Sequence, residues 1–273
     1  MPKPIKEVNM DLYRLDGRTA IVTGAAGGLG RGIALALGER GAKVTVCDLK
    51  KESLAETVAA LEAQGTPCLA CACNVTDPDA FGEVLRQTEE VLGFADILVN
   101  NAGITRMQDF FAVGVSDFQS IYEINVFGLF RCTQMFAEAL REKKVGGHIV
   151  NIASNGAKKT YADQVHYCSS KAAVVNMTQC MAECLAPYGI NVNSVCPGAV
   201  DTAMLRACMV ATEKETNGAV TVADCEKTWG PAQLGFRLIE PQEVGRIVAF
   251  LCSPAGAMIR GQALNVDAGT TRY

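Results

Sequence analysis

One feature near the start of the chain limits its possible folds more than any other. Thr19-Ala-Ile-Val-Thr23 is a short apolar run, and Leu29 to Arg40 has helical character, closed by Gly41. Between them lies Thr23-Gly-Ala-Ala-Gly-Gly-Leu-Gly30, with Gly24, Gly28 and Gly30 as the spaced glycines. A strand that turns on glycine straight into a helix points backbone N–H groups at whatever sits above the turn. The helix N-terminus adds positive potential there, which suits a pyrophosphate. Many strands join helices through ordinary glycine-rich turns, so the motif alone carries little weight. Its position after the first strand and before a helix gives it more.

The rest of the chain repeats the alternation. Lys43–Cys47 is β-rich, and Glu52–Gln64 has helical periodicity up to Gly65. Cys68–Cys73 reads as a strand and Pro78–Leu92 as a helix opened by Asp77-Pro78. Asp96–Asn100 and His148–Ile152 read as strands flanking a long helix over Asp117–Arg141. Asp163–Leu185 is a further helix, and Ile190–Val195 and Ala263–Val266 are strands around a helix over Pro241–Cys252. Strands that are apolar on both faces and alternate with helices predict an α/β fold, a doubly wound parallel sheet covered on both sides. No linker or low-complexity tract interrupts the pattern, so the sequence predicts one domain over residues 1–273. Ala203–Leu238 breaks the alternation with mixed charge, Gly and Pro, and reads as a lid within that domain.

Composition excludes several function classes. The chain has 273 residues, 49% hydrophobic and 20% charged, which is too apolar for a disordered chain. Lys and Arg number 25 against 29 Asp and Glu, so there is no basic excess to bind nucleic acid. No apolar run is long enough to span a membrane. Residues Met1 to Met10 have no apolar core, so no secretory signal is expected and the reading is cytoplasmic. The 12 cysteines then read as reduced thiols packed as small apolar groups, Cys180 and Cys184 included. Cys68 and Cys71 form a lone CxxC without a second pair or nearby His148 or His166 to complete a zinc set, so no metal is expected.

Three residue patterns carry chemistry. Asp48 ends the second strand, where a carboxylate can accept hydrogen bonds from an adenosine ribose diol and repel a 2′-phosphate. That predicts NAD, and Gly27 offers no cation in the glycine turn to favour NADP; Lys50 and Lys51 downstream weigh slightly the other way. Tyr167 and Lys171 are spaced i, i+4 and share a helix face. An ammonium and a cationic nicotinamide both favour the phenolate, so such a tyrosine can exchange a proton with an alcohol or ketone. Ser154 follows a strand at the edge where doubly wound sheets bind ligands, with a hydroxyl free for a substrate oxygen.

Together these residues make the chain similar to the short-chain dehydrogenase/reductase family from about Leu15 to Gly269. The glycine motif is Thr23–Gly30, Leu29 included. Asn100-Asn101-Ala102-Gly103, Asn125, Ser154, Tyr167 with Lys171, and Pro197-Gly198-Ala199-Val200-Asp201-Thr202 follow in the family's order. The resemblance implies a Rossmann fold with a seven-stranded parallel sheet and hydride transfer with a nicotinamide. It implies that Tyr167 transfers the proton, Ser154 orients and polarises the reacting oxygen, and Lys171 holds the nicotinamide ribose and lowers the tyrosine pKa. It implies that Asn125 holds a relay water and that Val200 and Thr202 face the carboxamide and pyrophosphate. Asn101, Ala102, Gly103, Pro197 and Gly198 join the expected cofactor site. Asn74-Val75 departs from the family's Asp-Val at the adenine, where the amide oxygen is expected to accept from the adenine amine. A homotetramer is also implied.

The expected activity is an NAD-dependent interconversion of a secondary alcohol, polyol or sugar-like, and a ketone. A hydroxysteroid dehydrogenase and a catalytically silent dinucleotide-binding regulator are the alternatives. Lys158 and Lys159 read as solvated surface lysines, with a place at the pocket mouth as the alternative, and Ala203–Leu238 is expected to hold only one helical turn or two.

Overall fold

A computed structural model describes residues 10–271, Pro231 aside. Residues 1–9 of the stretch read above for a secretory signal lie outside the described residues. Seven strands form one parallel sheet: β1 (Thr19–Thr23), β2 (Lys43–Asp48), β3 (Cys68–Ala72), β4 (Ile97–Asn100), β5 (Gly147–Ile152), β6 (Ile190–Pro197) and β7 (Ala263–Val266). Their order is β3-β2-β1-β4-β5-β6-β7. The expected seven-stranded Rossmann sheet is the one observed.

Alternating side chains of each central strand feed two separate cores. Ala20 and Val22 of β1, with Ile97 and Val99 of β4, pack under α1 (Gly28–Glu39), α2 (Ala55–Ala63) and α9 (Pro241–Cys252). Ile21 and Leu98 point the other way, under α3 (Pro78–Val91), α5 (Leu129–Lys143) and α6 (Val165–Leu185). This period of two, with both faces buried, explains why Ala20, Ile21 and Val22 of β1 are apolar without alternation. Each fully buried large side chain contributes roughly 1.5–3 kcal/mol.

The strand order reverses between β1 and β4, which opens a crevice beyond their carboxyl ends. The glycine turn, Asn100–Gly103, Ser154 and Pro197 all leave strands at that edge. The long helix expected over 117–141 runs from α4 (Val115–Tyr122) through a π-helical turn at Glu123–Gly128 into α5. A π turn inside a helix is a frequent mark of a functional position.

The segment read above as a lid departs from expectation. It holds two helices, α7 (Ala203–Glu215) and α8 (Val222–Trp229). Each starts on a threonine cap: Thr202 Oγ1 accepts from Leu205 N, and Thr221 forms a reciprocal capping box with Asp224. Their periodicity is weak because α7 buries only Met209 and α8 only Cys225. At its far end the segment is anchored by buried Gln233, which accepts from Ala199 N and donates to the Ala199 and Arg237 carbonyls.

All twelve cysteines are free thiols. Cys68 and Cys71 lie three apart on a strand, so they enter opposite cores and cannot share a metal. Among the described residues no cluster has metal-ligand geometry, and no helix is long and apolar enough to cross a membrane. Cys180 and Cys184 are a correction: both are exposed on α6 rather than packed in a core.

Candidate active site

The glycine turn is built by exclusion of side chains. Gly24 sits at φ +65 and Gly28 at φ +50, a region that disfavours other residues. A Cβ on Gly30 would come within 2.2 Å of the Gly24 carbonyl oxygen, so only glycine lets α1 start this close to β1. Asn101 fastens the turn from β4. Its Nδ2 donates to the Thr23 and Gly24 carbonyls, both at 2.9 Å. Thr23 Oγ1 in return accepts from Asn101 N and Ala102 N at 3.0 Å. Thr202 closes over the turn, its methyl 3.2 Å from where a Gly28 Cβ would stand.

Asp48 faces the same turn from the end of β2. Its Oδ2 accepts from Ala26 N and its Oδ1 from Leu49 N. Each carboxylate oxygen keeps a lone pair for a further donor. Arg31 lies beside the turn, and Thr57, the Ala26 carbonyl and Glu56 all hold it. Lys50 and Lys51 are exposed. Asn74 Oδ1 already accepts twice from Thr76, so that oxygen is engaged locally rather than held ready for an adenine amine. Val75 is buried against the π turn, where Gly128 leaves room for it.

The reacting corner lies at the carboxyl ends of β4 and β5. Lys171 is buried, and its Nζ donates to the Ile152 carbonyl at 2.9 Å. Burial pulls its pKa down to about 8. The same ammonium lies 5.8 Å from the Tyr167 ring centroid. Burial pushes the Tyr167 phenol up to about 12, and its hydrogen bond with Ser154 pulls the other way. Ser154 Oγ also accepts from Gly156 N at 3.0 Å, which fixes its rotamer. Asn125 in the π turn grips the next loop with both ends of its amide. Oδ1 accepts from Ile104 N at 2.8 Å, and Nδ2 donates to the Ile104 carbonyl and to Ser170 Oγ. A Cβ on Gly103 would stand 3.1 Å from Asn125 Oδ1 and 3.4 Å from Lys171 Nζ. Glycine there lets the three groups converge.

Beneath the corner, Asn100 of β4 donates to Thr133 and to Asn151 of β5, both at 2.9 Å. Asn151 continues to Thr178 of α6 at 2.9 Å. This fully paired polar chain holds strand ends and the Tyr167 helix in one register.

The family model described as short chain dehydrogenase matches residues 18–212. The chain is a short-chain dehydrogenase/reductase. Among this family's members, the 7alpha-hydroxysteroid dehydrogenase of Escherichia coli K12 is 34% identical over 96% of this chain and 97% of its own length. The L-2,3-butanediol dehydrogenase of Corynebacterium glutamicum is 35% identical over 92% and 98%. The solved structure of a 7 alpha-hydroxysteroid dehydrogenase complexed with NADH and 7-oxo glycochenodeoxycholic acid covers 98% of this chain and 99% of that one. It has a TM-score of 0.84 at 33% identity. Short-chain dehydrogenases are oxidoreductases that bind a nicotinamide dinucleotide. The glycine turn without side chains, the Asp48 carboxylate beside it and the buried Lys171 ammonium all fit that group.

In this short-chain dehydrogenase the structure brings Asn125, Ser154, Tyr167 and Lys171 to one corner. Gly24, Gly28, Leu29, Gly30 and Asp48 stand at the other end of the crevice. Pro197, Gly198, Val200 and Thr202 form its third wall, where Gly198 N donates to the Val266 carbonyl and Val200 pairs with Ile239. Lys158 does not stand at the pocket mouth: its Nζ reaches the sheet edge, donating to the Ala263 carbonyl and Asn265 Oδ1. Lys159 lies over the Tyr161 ring, 5.5 Å from its centroid. Sequence reasoning missed Asn155, which accepts from Tyr161 OH at 3.3 Å and donates to Thr270. It also missed Gln108 and His166. Only adjacency to Ser154 and Tyr167 could have pointed to Asn155 and His166; Gln108 had no local signal.

Proposed function

We propose that this enzyme is an NAD-dependent oxidoreductase that interconverts a secondary alcohol and a ketone. The observation that carries the reading is the corner itself: a phenol, a serine hydroxyl and a buried ammonium converge above the crevice beside a carboxylate-bearing turn. The nicotinamide supplies hydride acceptance or donation when bound. The chain's own groups do the rest. Asp48 receives the adenosine ribose and repels a 2′-phosphate, and Arg31 is held by Glu56 and so offers that phosphate little. Lys171 meets the second ribose and lowers the work of forming a phenolate at Tyr167. Ser154 donates to the reacting oxygen. Tyr167 gives its proton to that oxygen in reduction and takes it back in oxidation, a role of about 10²–10⁴-fold in rate.

A small polyol or sugar-like alcohol is the preferred substrate class. Asn155 and Tyr161 line up donors and acceptors next to Ser154, and the butanediol dehydrogenase relative acts on a small diol. The second reading is a hydroxysteroid, which the resemblance to 7alpha-hydroxysteroid dehydrogenases favours. A dehydrogenase screen over polyols, sugars and steroids with NAD decides. Turnover of small polyols supports the reading, and turnover of steroids alone overturns its substrate class. Binding of NADH with no turnover across the whole panel would favour a silent regulator. The reading includes a cytoplasmic homotetramer. Exposed Phe127 and Phe130 on the long helix support self-association, and light scattering in solution tests it.

A further inference from the structure

His166 has no part in the chemistry above, yet it is fully buried next to Tyr167. Helix α6 starts at Val165, so Tyr167 lies in its first turn. Backbone N–H groups there have no carbonyl one turn back. The usual remedy is missing, because Gln164 at the N-cap makes no side-chain cap bond. Tyr167 N instead donates to the imidazole Nδ1 of His166 at 2.9 Å. A ring nitrogen that accepts carries no proton, so the neutral ring is protonated on Nε2. Nε2 donates to Gln108 Oε1 at 2.8 Å. Gln108 N donates to the Asp163 carbonyl at 2.9 Å, and its side chain also bonds Asp117 of α4. Phe118 of α4 packs edge-on, 5.9 Å from the imidazole centroid.

The imidazole therefore joins three pieces: the first turn of the tyrosine helix, the segment that follows Asn100–Gly103, and α4. We propose that His166 is a positioning residue for Tyr167 and that its neutral form is the working one. It caps the turn that carries the tyrosine and ties that turn to Gln108. Protonation of Nδ1 would set a donor against the Tyr167 N–H and release the turn. The proposal rests on the reading of Tyr167 as the proton-transfer group.

The charged groups facing the ring are Asp117 on α4 and Arg106 on the segment before it. They pair with each other at 2.9 Å and act on the imidazole in opposite directions. Burial is the larger influence and holds the His166 pKa below its ordinary value. The ring is thus neutral at neutral pH, and it takes up its proton only on the acid side of the ordinary histidine value.

The test compares wild type, His166→Asn, His166→Leu and Gln108→Ala. An asparagine oxygen can stand where Nδ1 stands and accept the Tyr167 N–H, but it does not titrate. Ketone reduction is measured across the acid range, NADH affinity alongside, and the Tyr167 amide followed by ¹⁵N NMR. Wild type should show an acid limb in kcat that coincides with a shift of the Tyr167 amide resonance. His166→Asn should keep kcat near wild type at pH 8 and lose that limb. His166→Leu should lose about tenfold to a hundredfold in kcat, the scale of a small misplacement of a catalytic group. Gln108→Ala should fall between, and NADH affinity should hold in all three. An acid limb that persists in His166→Asn, wild-type kcat in His166→Leu, or a Tyr167 amide that does not titrate would overturn the proposal. Should wild type turn over no substrate, the proton-transfer reading fails separately, and the amide titration alone still decides whether the imidazole caps that turn.

Discussion

Asp48 Oδ2 accepts a hydrogen bond from the Ala26 backbone N–H at 3.0 Å. This bond ties the end of β2 to the glycine turn and holds the carboxylate over the place where an adenosine ribose would lie. On the proposed function, cofactor choice and cofactor cradle are therefore one piece of structure. Asp48→Ala should lower the ratio of kcat/KM with NAD to that with NADP by about tenfold or more, since removal of the charge removes the repulsion of a 2′-phosphate. Steady-state kinetics with both cofactors measures it. An unchanged ratio would mean that Lys50 or Lys51 governs the choice.

Lys171 serves two partners at once. Its Nζ is anchored on the Ile152 carbonyl and lies above the Tyr167 ring. Lys171→Met should therefore weaken NADH binding and lower kcat together. Fluorescence titration of NADH beside turnover checks this, and a fall in turnover with unchanged NADH affinity would remove the ribose role.

The proton equilibrium of Tyr167 predicts different pH profiles in the two directions. Burial sets the phenol at about 12, so it is protonated and ready to donate at neutral pH. Alcohol oxidation needs the phenolate and should accelerate as pH rises from 7 to 10, by up to tenfold per unit. Ketone reduction should not rise over the same range. Initial rates in both directions test it.

Acid stability should depend on His148. Burial and the nearby Arg18 and Arg260 guanidinium groups hold its pKa at about 4, below the ordinary histidine value. The unfolded chain therefore takes up this proton first as pH falls. The neutral ring destabilises nothing above the unfolded pKa of about 6.5, and stability is lost from there down to about pH 4, on the order of 3 kcal/mol. Denaturant titrations of wild type and His148→Gln at pH 7 and pH 4.5 measure the difference. An equal acid loss in both would shift the cause to other groups.

The lid should be the least protected part of the enzyme without ligand. Its two helices bury only Met209 and Cys225, and few buried contacts mean easy opening. Hydrogen exchange should be fast over Cys208–Trp229 in the free enzyme and slow once NADH and a substrate analogue are bound. Strong, equal protection in both states would make the segment a fixed wall.

Much of this architecture is legible in the residues. β1, β7 and α9 occupy the ranges read from the sequence: β1 is buried along its length around an apolar middle, and α9 opens on a proline. The lid helices were not legible. Their apolar content is scattered, and their starts depend on single caps at Thr202 and Thr221. The π turn at Glu123–Gly128 leaves no mark in periodicity, since it shifts the register within one unbroken helix. Among site groups, Asp48, Tyr167, Lys171 and Ser154 announce themselves by spacing and by strand ends. His166, Gln108 and Asn155 act through contacts between segments distant in sequence, which no local pattern records. The partners of Lys158 are hidden from the sequence for the same reason, as β7 supplies them.

The most direct test of the account is Tyr167→Phe, which removes one oxygen and leaves the ring in place. With the proton donor gone, kcat should fall about 10²–10⁴-fold in both directions while NADH affinity stays near wild type. Near-normal kcat in this variant would contradict the account at its centre.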